Sequence, residues 1–383
     1  MGMRSIQEAT ADYEAWLGRY TPLVAADLAR KHEQMRANAF VFLRATFYRW
    51  AAWWPRRCPD LAARPQVPSV GDLHIENFGT WRDAEGRIAW GVNDFDEAWP
   101  LAWPQDLVRL AASAHLAAER GTLASEPRDV AGALLSGYRD AIAAGGMPYV
   151  LAEKHPALRA MWQAQRPDAA AFWAKLDTLP DLATDDAVPD GARRALASSL
   201  PARGLRHRVV RRVAGLGSLG RTRLVAIAEW QGGRIAREVK AIAPSAVAWA
   251  AACPPRAADV RIRETVERAV RCTDPFYRAR RRWLVRRLAP DMRRFDLTDL
   301  PHRHDEQHLL HAMGWETANV HLGGARASAL AADVAKVERA QGRGWLASAA
   351  AHMAAAVTAD WTVWGATPVT RTPMTTTPAM AAP

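Results

Sequence analysis

A change of hydrophobic period near Pro201 constrains this chain more than any other feature. Upstream, apolar residues recur at helical spacing. Tyr13, Leu17, Tyr20, Leu23 and Leu28 set a rough helical period over 6–54, and FVFLRATFYRWAAWW extends it as far as Pro55. Between about Gln105 and Ala144 the period returns in DLVRLAASAHLAA and DVAGALLSGYRDAIAA. Downstream, HRVVRRVAGLGSLGRTRLVAIAEWQGGRIAREVKAIA alternates apolar and polar residues around glycines, which predicts two or three antiparallel strands with a turn at Gly232-Gly233. A helix is expected over 258–272, a strand over 283–289, and helices again near 304–313 and 325–360. The expected class is therefore α+β: a mostly helical lobe with a small antiparallel β-rich lobe. Its expected parts are an N-terminal helical segment (1–66), a helical lobe (67–200), a β-rich lobe (201–300) and C-terminal helices packing on the helical lobe (301–366). The Thr/Pro-rich tail, 367–383, is expected to be disordered.

Within the helical part, GDLHIENFG (71–79) and NDFDEAWP (93–100) concentrate Asp72, His74, Glu76, Asn77, Asp94, Asp96 and Glu97 in a short span. Burying an unpaired carboxylate costs several kcal/mol, so a core gains nothing from them. Leu73, Ile75, Phe78, Trp81, Phe95 and Trp99 alternate with these polar groups and would anchor them, which a freely solvated loop does not need. The stretch between the two clusters has a turn signal at Asp83–Gly86 and alternating Ile88, Trp90 and Val92. A β-hairpin is expected there, folding Asp94 back beside Asn77. Asp72 is then a candidate base for an attacking hydroxyl, with Asn77 and Asp94 as oxygen donors for Mg²⁺. A zinc or iron site on Asp72, His74 and Glu76 is disfavoured, because H-x-E lacks the i, i+4 spacing of a helical zinc motif.

GLGSLG (215–220) lies between strand segments. A dinucleotide fingerprint would open a helix, whereas RTRLVAIAEW continues as strand. A glycine-rich turn between strands is the kind that lies over nucleotide phosphates in protein kinases. That arrangement calls for a lysine on a following strand, which Lys240 supplies, although alone it would read as a lysine at a sheet edge. Glu264 and Glu267 are its candidate acidic partners.

These blocks resemble a known family. GDLHIEN, NDFDEAWP and QDLVRLAAS are similar to the catalytic segment of aminoglycoside phosphotransferase and choline kinase-like enzymes. More closely, ANAFVFLRATFYRWAAWW with GDLHIENFG, NDFDEAWPLAWPQDLVRLAAS, and VAGLGSLGRTRLVAI with EVKAIAPSA resemble an uncharacterised bacterial family, the domain of unknown function numbered 2252. The resemblance covers about residues 35–360. It implies a protein-kinase-like fold and an ATP- and Mg²⁺-dependent phosphotransferase acting on an unknown, small-molecule hydroxyl acceptor. Asp72, Lys240 and Asp94 fall on its catalytic positions, and Asn77, Asp94 and Asp96 on or beside its metal positions. Gly215, Gly217, Ser218, Gly220, Lys240 and Glu267 would bind the nucleotide, and Asp106 would support the catalytic loop. The order is circularly permuted: the glycine loop and lysine follow the catalytic loop instead of preceding it. Asp96 stands where kinases place glycine, and Val70 where many relatives carry histidine.

The other readings come from different classes. The same site could transfer AMP, or bind nucleotide without catalysis. The net charge of +11 and the runs RGLRHRVVRR and YRARRRWLVRR could hold nucleic acid or another polyanion, but no nucleic-acid motif accompanies them and a solvated face is preferred. The three cysteines are far apart, which argues against a disulfide framework and fits a reducing compartment. No secretory leader and no run of 18 apolar residues is visible, so a cytoplasmic chain with no membrane span is expected.

Overall fold

The computed structural model describes residues 4–152, 154–165, 168–182, 188–295 and 303–367, the side chains of 303 and 304 excepted. The tail expected to be disordered lies outside the described residues from 368 onward.

The N-terminal helical stretch is four helices, not one: Ile6–Leu17, Ala25–Gln34, Ala39–Ala45 and Phe47–Arg57. Each break has a local cause. Gly18 ends the first, Asn38 caps the third through its side chain (Val41 N donates to Asn38 Oδ1, 2.9 Å), and Thr46 leaves helical geometry between the third and fourth. The last helix continues past Pro55 to Arg57. The expected C-terminal helix over 325–360 is likewise two helices, Ala327–Gln341 and Trp345–Ala366, parted where Gly342 adopts a positive φ of 81°.

Among the described residues, ten strands form three antiparallel sheets. They are β1 (Gln66–Ser69), β2 (Phe78–Arg82), β3 (Ile88–Val92), β4 (Trp99–Ala102), β5 (Tyr149–Val150), β6 (Arg208–Arg211), β7 (Arg223–Trp230), β8 (Gly233–Ala241), β9 (Arg278–Arg280) and β10 (Trp283–Leu288). β1 pairs with β4, and β2, β3 and β5 form a second sheet. The third has five strands in the order β6-β7-β8-β10-β9, larger than the two or three expected. The β2–β3 hairpin turns where Asp83–Gly86 predicted, closed by Gly86 N–H donating to Asp83 O (3.0 Å).

This pairing brings the acidic clusters together. The first lies between β1 and β2 and the second between β3 and β4, while β1 pairs with β4 and β2 with β3. The two loops must therefore cross the same gap side by side.

One hydrophobic core runs through the N-terminal helices, the helix Pro104–Glu119, the C-terminal helices and part of the β-rich segment, including Tyr13, Trp50, Leu107, Leu219, Ile242, Leu284 and Trp345. Two smaller clusters cover the five-stranded sheet. Helix Asp190–Ser199 packs Ala192 and Leu196 on Leu224, Val239 and Val285, and Leu176 packs on Val210, Val225 and Ile227. Segments 169–177 and 190–199, expected with the helical lobe, thus serve the sheet. Among the described residues, no helix is long and apolar enough to cross a membrane.

Candidate functional site

A cleft of about 350 Å³ lies between the acidic loops and the five-stranded sheet, and it is lined by Asp72, Asn77, Asp94, Asp96, Gly215, Gly217 and Ser218, among others. Residues far apart in sequence meet there.

The acidic wall is built on one stripe of helix Pro104–Glu119, nearly all of which is buried. Asp106, Arg109 and Ser113 are spaced i, i+3, i+7 and so share a face. Asp106 accepts hydrogen bonds from the N–H groups of Val70 (2.7 Å) and Gly71 (3.0 Å). Arg109 donates to Asp72 Oδ1 from Nε (2.9 Å) and from Nη2, and Ser113 Oγ accepts from Ile75 N–H (3.1 Å). Behind Asp106 stand His321 (Nε2 to Oδ2, 3.4 Å) and then Tyr138, whose hydroxyl meets His321 Nδ1 at 2.9 Å. Arg109 is fully buried, with its guanidinium over the rings of Phe47 and Trp50. Asp106 thus holds the backbone at the start of the first acidic loop.

Gly71 is required by the approach of the second loop: it has φ +83°, and a Cβ there would lie 2.4 Å from Glu97 O. In the second loop, Asp94 and Asp96 face the cleft while Phe95 is buried between them. Asp94 Oδ1 accepts from Asp96 N–H at 3.3 Å. Asn77 Oδ1 accepts from His74 N–H (2.7 Å), and His74 Nδ1 accepts from Glu76 N–H (3.2 Å). Glu76 itself is paired with Arg44 (3.0 Å) and Arg294. Among the described residues, no group of three or more His, Cys, Asp or Glu is placed to hold a metal ion.

The opposite wall is cationic. Lys240 is only 3 % exposed, on the central strand β8, which excludes a sheet-edge lysine. Its Nζ reaches Asp94 Oδ1 (3.2 Å) and Asp96 Oδ1 (2.8 Å). The structure does not bring Glu267 to it. Glu267 is exposed on helix Ala258–Arg268, and Glu264 on the same helix pairs with Arg261 (3.6 Å). The wholly buried acid of this wall is Glu238, two residues before Lys240 and on the same face of β8. It accepts from Arg223 (2.8 Å), Arg286 (2.7 Å) and Arg212.

The glycine loop closes one end of the cleft. Gly215 (φ +77°) and Gly220 (φ +97°) are left-handed turns on either side of a short 3₁₀ turn, Leu216–Ser218. Gly217 is an approach residue, since a Cβ on it would lie 3.2 Å from Arg44 O and 3.4 Å from Asp72 Oδ2. Ser218 Oγ accepts from Arg223 Nη2 at 2.8 Å. The N-terminal segment clamps the loop, as Val24 N–H donates to Gly220 O (2.8 Å).

These surroundings set the charge states. Burial pushes Asp72 up to about 6, against the opposing pull of Arg109. Burial would also raise Asp94, but Lys240, Arg286 and Arg223 outweigh it and hold this carboxyl down at about 2. Glu238 is likewise held well below the carboxylate range by Arg223, Arg286 and Arg212, despite its burial. Burial, with Arg44, Arg109 and Arg294 nearby, lowers His74 well below its ordinary value, so the ring is neutral at pH 7. That neutrality, with its Nδ1 already engaged, gives His74 a role in loop geometry.

Sequence reasoning missed Arg109, Ser113, Arg212, Arg223, Glu238 and Arg286. For the helical residues the signal was present, as polar side chains at i, i+3 and i+7 in an otherwise apolar helix. For the sheet, the hint was charge at the centre of Val-rich strands, as in EVK and WLVRR. Their convergence depends on a register in which Arg286 lies opposite Glu238, and Arg223 opposite Lys240.

Of the eleven arginines in the two arginine-rich runs, five form ion pairs within the chain among the described residues: Arg208 with Asp181, Arg211 with Asp27, Arg212 and Arg286 with Glu238, and Arg287 with Asp291. Of the known proteins compared with this chain, no curated protein and no solved structure matches. A family model described as an uncharacterised protein conserved in bacteria, DUF2252, matches residues 23–173 and 191–366, which include both walls of the cleft. By that match over most of its length, the chain belongs to the DUF2252 family.

Proposed function

We propose that this chain is an ATP- and Mg²⁺-dependent phosphotransferase of kinase-like design, with its two lobes in permuted order and a small-molecule hydroxyl as acceptor. The observation that carries this reading is the meeting of Lys240 with Asp94 and Asp96, in the same cleft as Asp72 and the glycine loop.

The residues present fit the groups this chemistry needs. Asp94 and Asp96 offer carboxylate oxygens to a hard cation, and Asn77 Oδ1 has one lone pair beyond the bond it already accepts. Mg²⁺ is commonly held by one or two carboxylates together with substrate phosphates, so a ready-made protein cage is not required. Such an ion supplies charge neutralisation on the phosphates. Lys240 and Arg223 supply the fixed positive charge. The hydroxyl of Tyr277, and Nε and Nη1 of Arg271, are buried on the cleft wall without hydrogen-bond partners and are free to meet a polar ligand. Asp72 binds Arg109 through Oδ1 and presents Oδ2 toward Gly217. With a pKa near 6 it is ionised at neutral pH yet basic enough to take the acceptor's proton.

The test is calorimetric titration of ATP into the full chain, with and without Mg²⁺, for the unaltered protein, Asp94→Ala and Lys240→Ala. The expected result is Mg²⁺-dependent binding, weakened about tenfold or more by either substitution, as expected for loss of a charge-assisted contact. Undetectable binding, binding indifferent to Mg²⁺, or equal binding by all three proteins would reject the reading.

A further inference from the structure

The cleft holds more positive charge than its sheet wall accounts for. Among the described residues, nine arginines line it against six carboxylates. On the sheet side, Arg212, Arg223 and Arg286 converge on Glu238, and Lys240 on Asp94 and Asp96. Beyond Asp72 the balance differs. Among the described residues, Arg44 and Arg294 share a single carboxylate, Glu76. Beside them, Arg293 donates through Nη2 to a neutral partner, Trp162 O, and its Nε has no partner. Nε of Arg44 is also buried without a hydrogen-bond partner, its guanidinium lying over the Phe40 ring (5.5 Å). The Arg294 side chain is half exposed at the cleft, where it meets Glu76 through Nη1.

Clustered guanidiniums repel one another, and desolvated ones need an anion or a full set of acceptors. Among the described residues, one glutamate serves two of them. Their planar donor forks match phosphate and carboxylate oxygens. We propose that the acceptor carries an anionic group, a phosphate or a carboxylate, and that Arg44 and Arg294 hold it next to Asp72. This rests on the phosphotransferase reading for the word acceptor. The anion subsite itself does not.

The experiment is calorimetric titration of inorganic phosphate, and separately of acetate, into the full chain. Each is run with and without a saturating non-hydrolysable ATP analogue and Mg²⁺. Phosphate or acetate should bind in both conditions, and which of the two binds more tightly identifies the anionic group. Arg294→Ala, at a half-exposed position, should keep the fold and the nucleotide affinity while weakening anion binding about tenfold. Arg44→Gln should weaken it similarly, with thermal unfolding as the check on folding. The proposal is overturned if neither anion binds, if Arg294→Ala binds both as well as the unaltered chain, or if the nucleotide analogue abolishes anion binding, which would place the anion in the nucleotide site. If ATP fails to bind while anion binding stays dependent on Arg294, the phosphotransferase reading falls and the anion subsite stands.

Discussion

The two walls of the cleft are charged by different means. The acidic wall comes from two short loops, and its geometry is secured on a single helical stripe: backbone N–H groups donate to Asp106 and Ser113, and Arg109 donates to the Asp72 carboxylate. The cationic wall comes from positions on or beside four strands, and one buried carboxylate, Glu238, gathers three of its arginines. The first wall has several independent fastenings; the second has a hub. Loss of one fastening should loosen the acidic wall by degrees, whereas loss of the hub leaves three like charges facing one another.

Glu238→Gln is the harshest test of that contrast. Removing one partner of a buried ion pair typically destabilises by about 3–5 kcal/mol. The lower end, about 3 kcal/mol, is expected here, because the side chains of Arg212 and Arg286 keep 28 % and 24 % exposure and water can screen them. Urea denaturation at pH 7 measures it. A loss within experimental error would mean that the arginines are held by other contacts and that the hub is no hub.

Asp72 allows the acidic wall to be tested through pH. Its folded pKa of about 6 lies above the ordinary 3.8, so the folded state binds this proton more tightly than the unfolded state. The site therefore favours folding at low pH, and that contribution fades as pH rises from about 4 to about 6. Activity should move the other way: turnover of ATP with an acceptor should rise tenfold per unit below pH 6 and level off above it. Asp72→Asn should lower turnover by about 10²-fold or more and remove this limb of the profile. A profile unchanged by the substitution would take the base role away from Asp72.

A milder break is Asp106→Asn. The amide keeps one acceptor oxygen for two backbone donors, so one of the N–H groups of Val70 and Gly71 loses its acceptor and the other keeps only a neutral one. A loss of about 2 kcal/mol is expected, with nucleotide affinity falling as the loop loosens. If it proves as damaging as Glu238→Gln, the proposed difference between the walls disappears.

The same contrast explains what could be read from the sequence. Asp72, Asn77 and Asp94 stood out because loop chemistry is written in local spacing, and a hairpin of predictable turn type sets their approach. Asp106 was legible through its motif, while Arg109 and Ser113, on the same stripe, were not singled out. Glu238 could not be recognised, because its partners are set by cross-strand register and by the β7–β8–β10 order, which no short window encodes. Glu267 was selected as the partner of Lys240 by analogy of order, yet the chain meets that need with Asp94 and Asp96, which already lie across the cleft. Helix boundaries failed for a simpler reason: the apolar period continues through Gly18, Asn38 and Thr46, where capping decides.

The smallest expected effect falls where the walls touch. Gly217 has no positive φ, so alanine is compatible with its backbone, and the residue is exposed. A Cβ there would meet Arg44 O at 3.2 Å and Asp72 Oδ2 at 3.4 Å, contacts that a shift of a few tenths of an ångström relieves. Gly217→Ala should therefore change stability by less than about 1 kcal/mol, since alanine also restricts the unfolded chain. Its effect should appear in function, because the methyl group occupies the space between the glycine loop and the carboxylate oxygen left free by Arg109. Turnover should fall more than ATP affinity. Gly215→Ala should instead weaken stability, because φ there is +77° and a Cβ would lie 2.9 Å from Arg223 Nη2. If the two alanines behave alike in denaturation and in turnover, the glycines act only as flexible chain, and the close approach of the loop to Asp72 carries no functional weight.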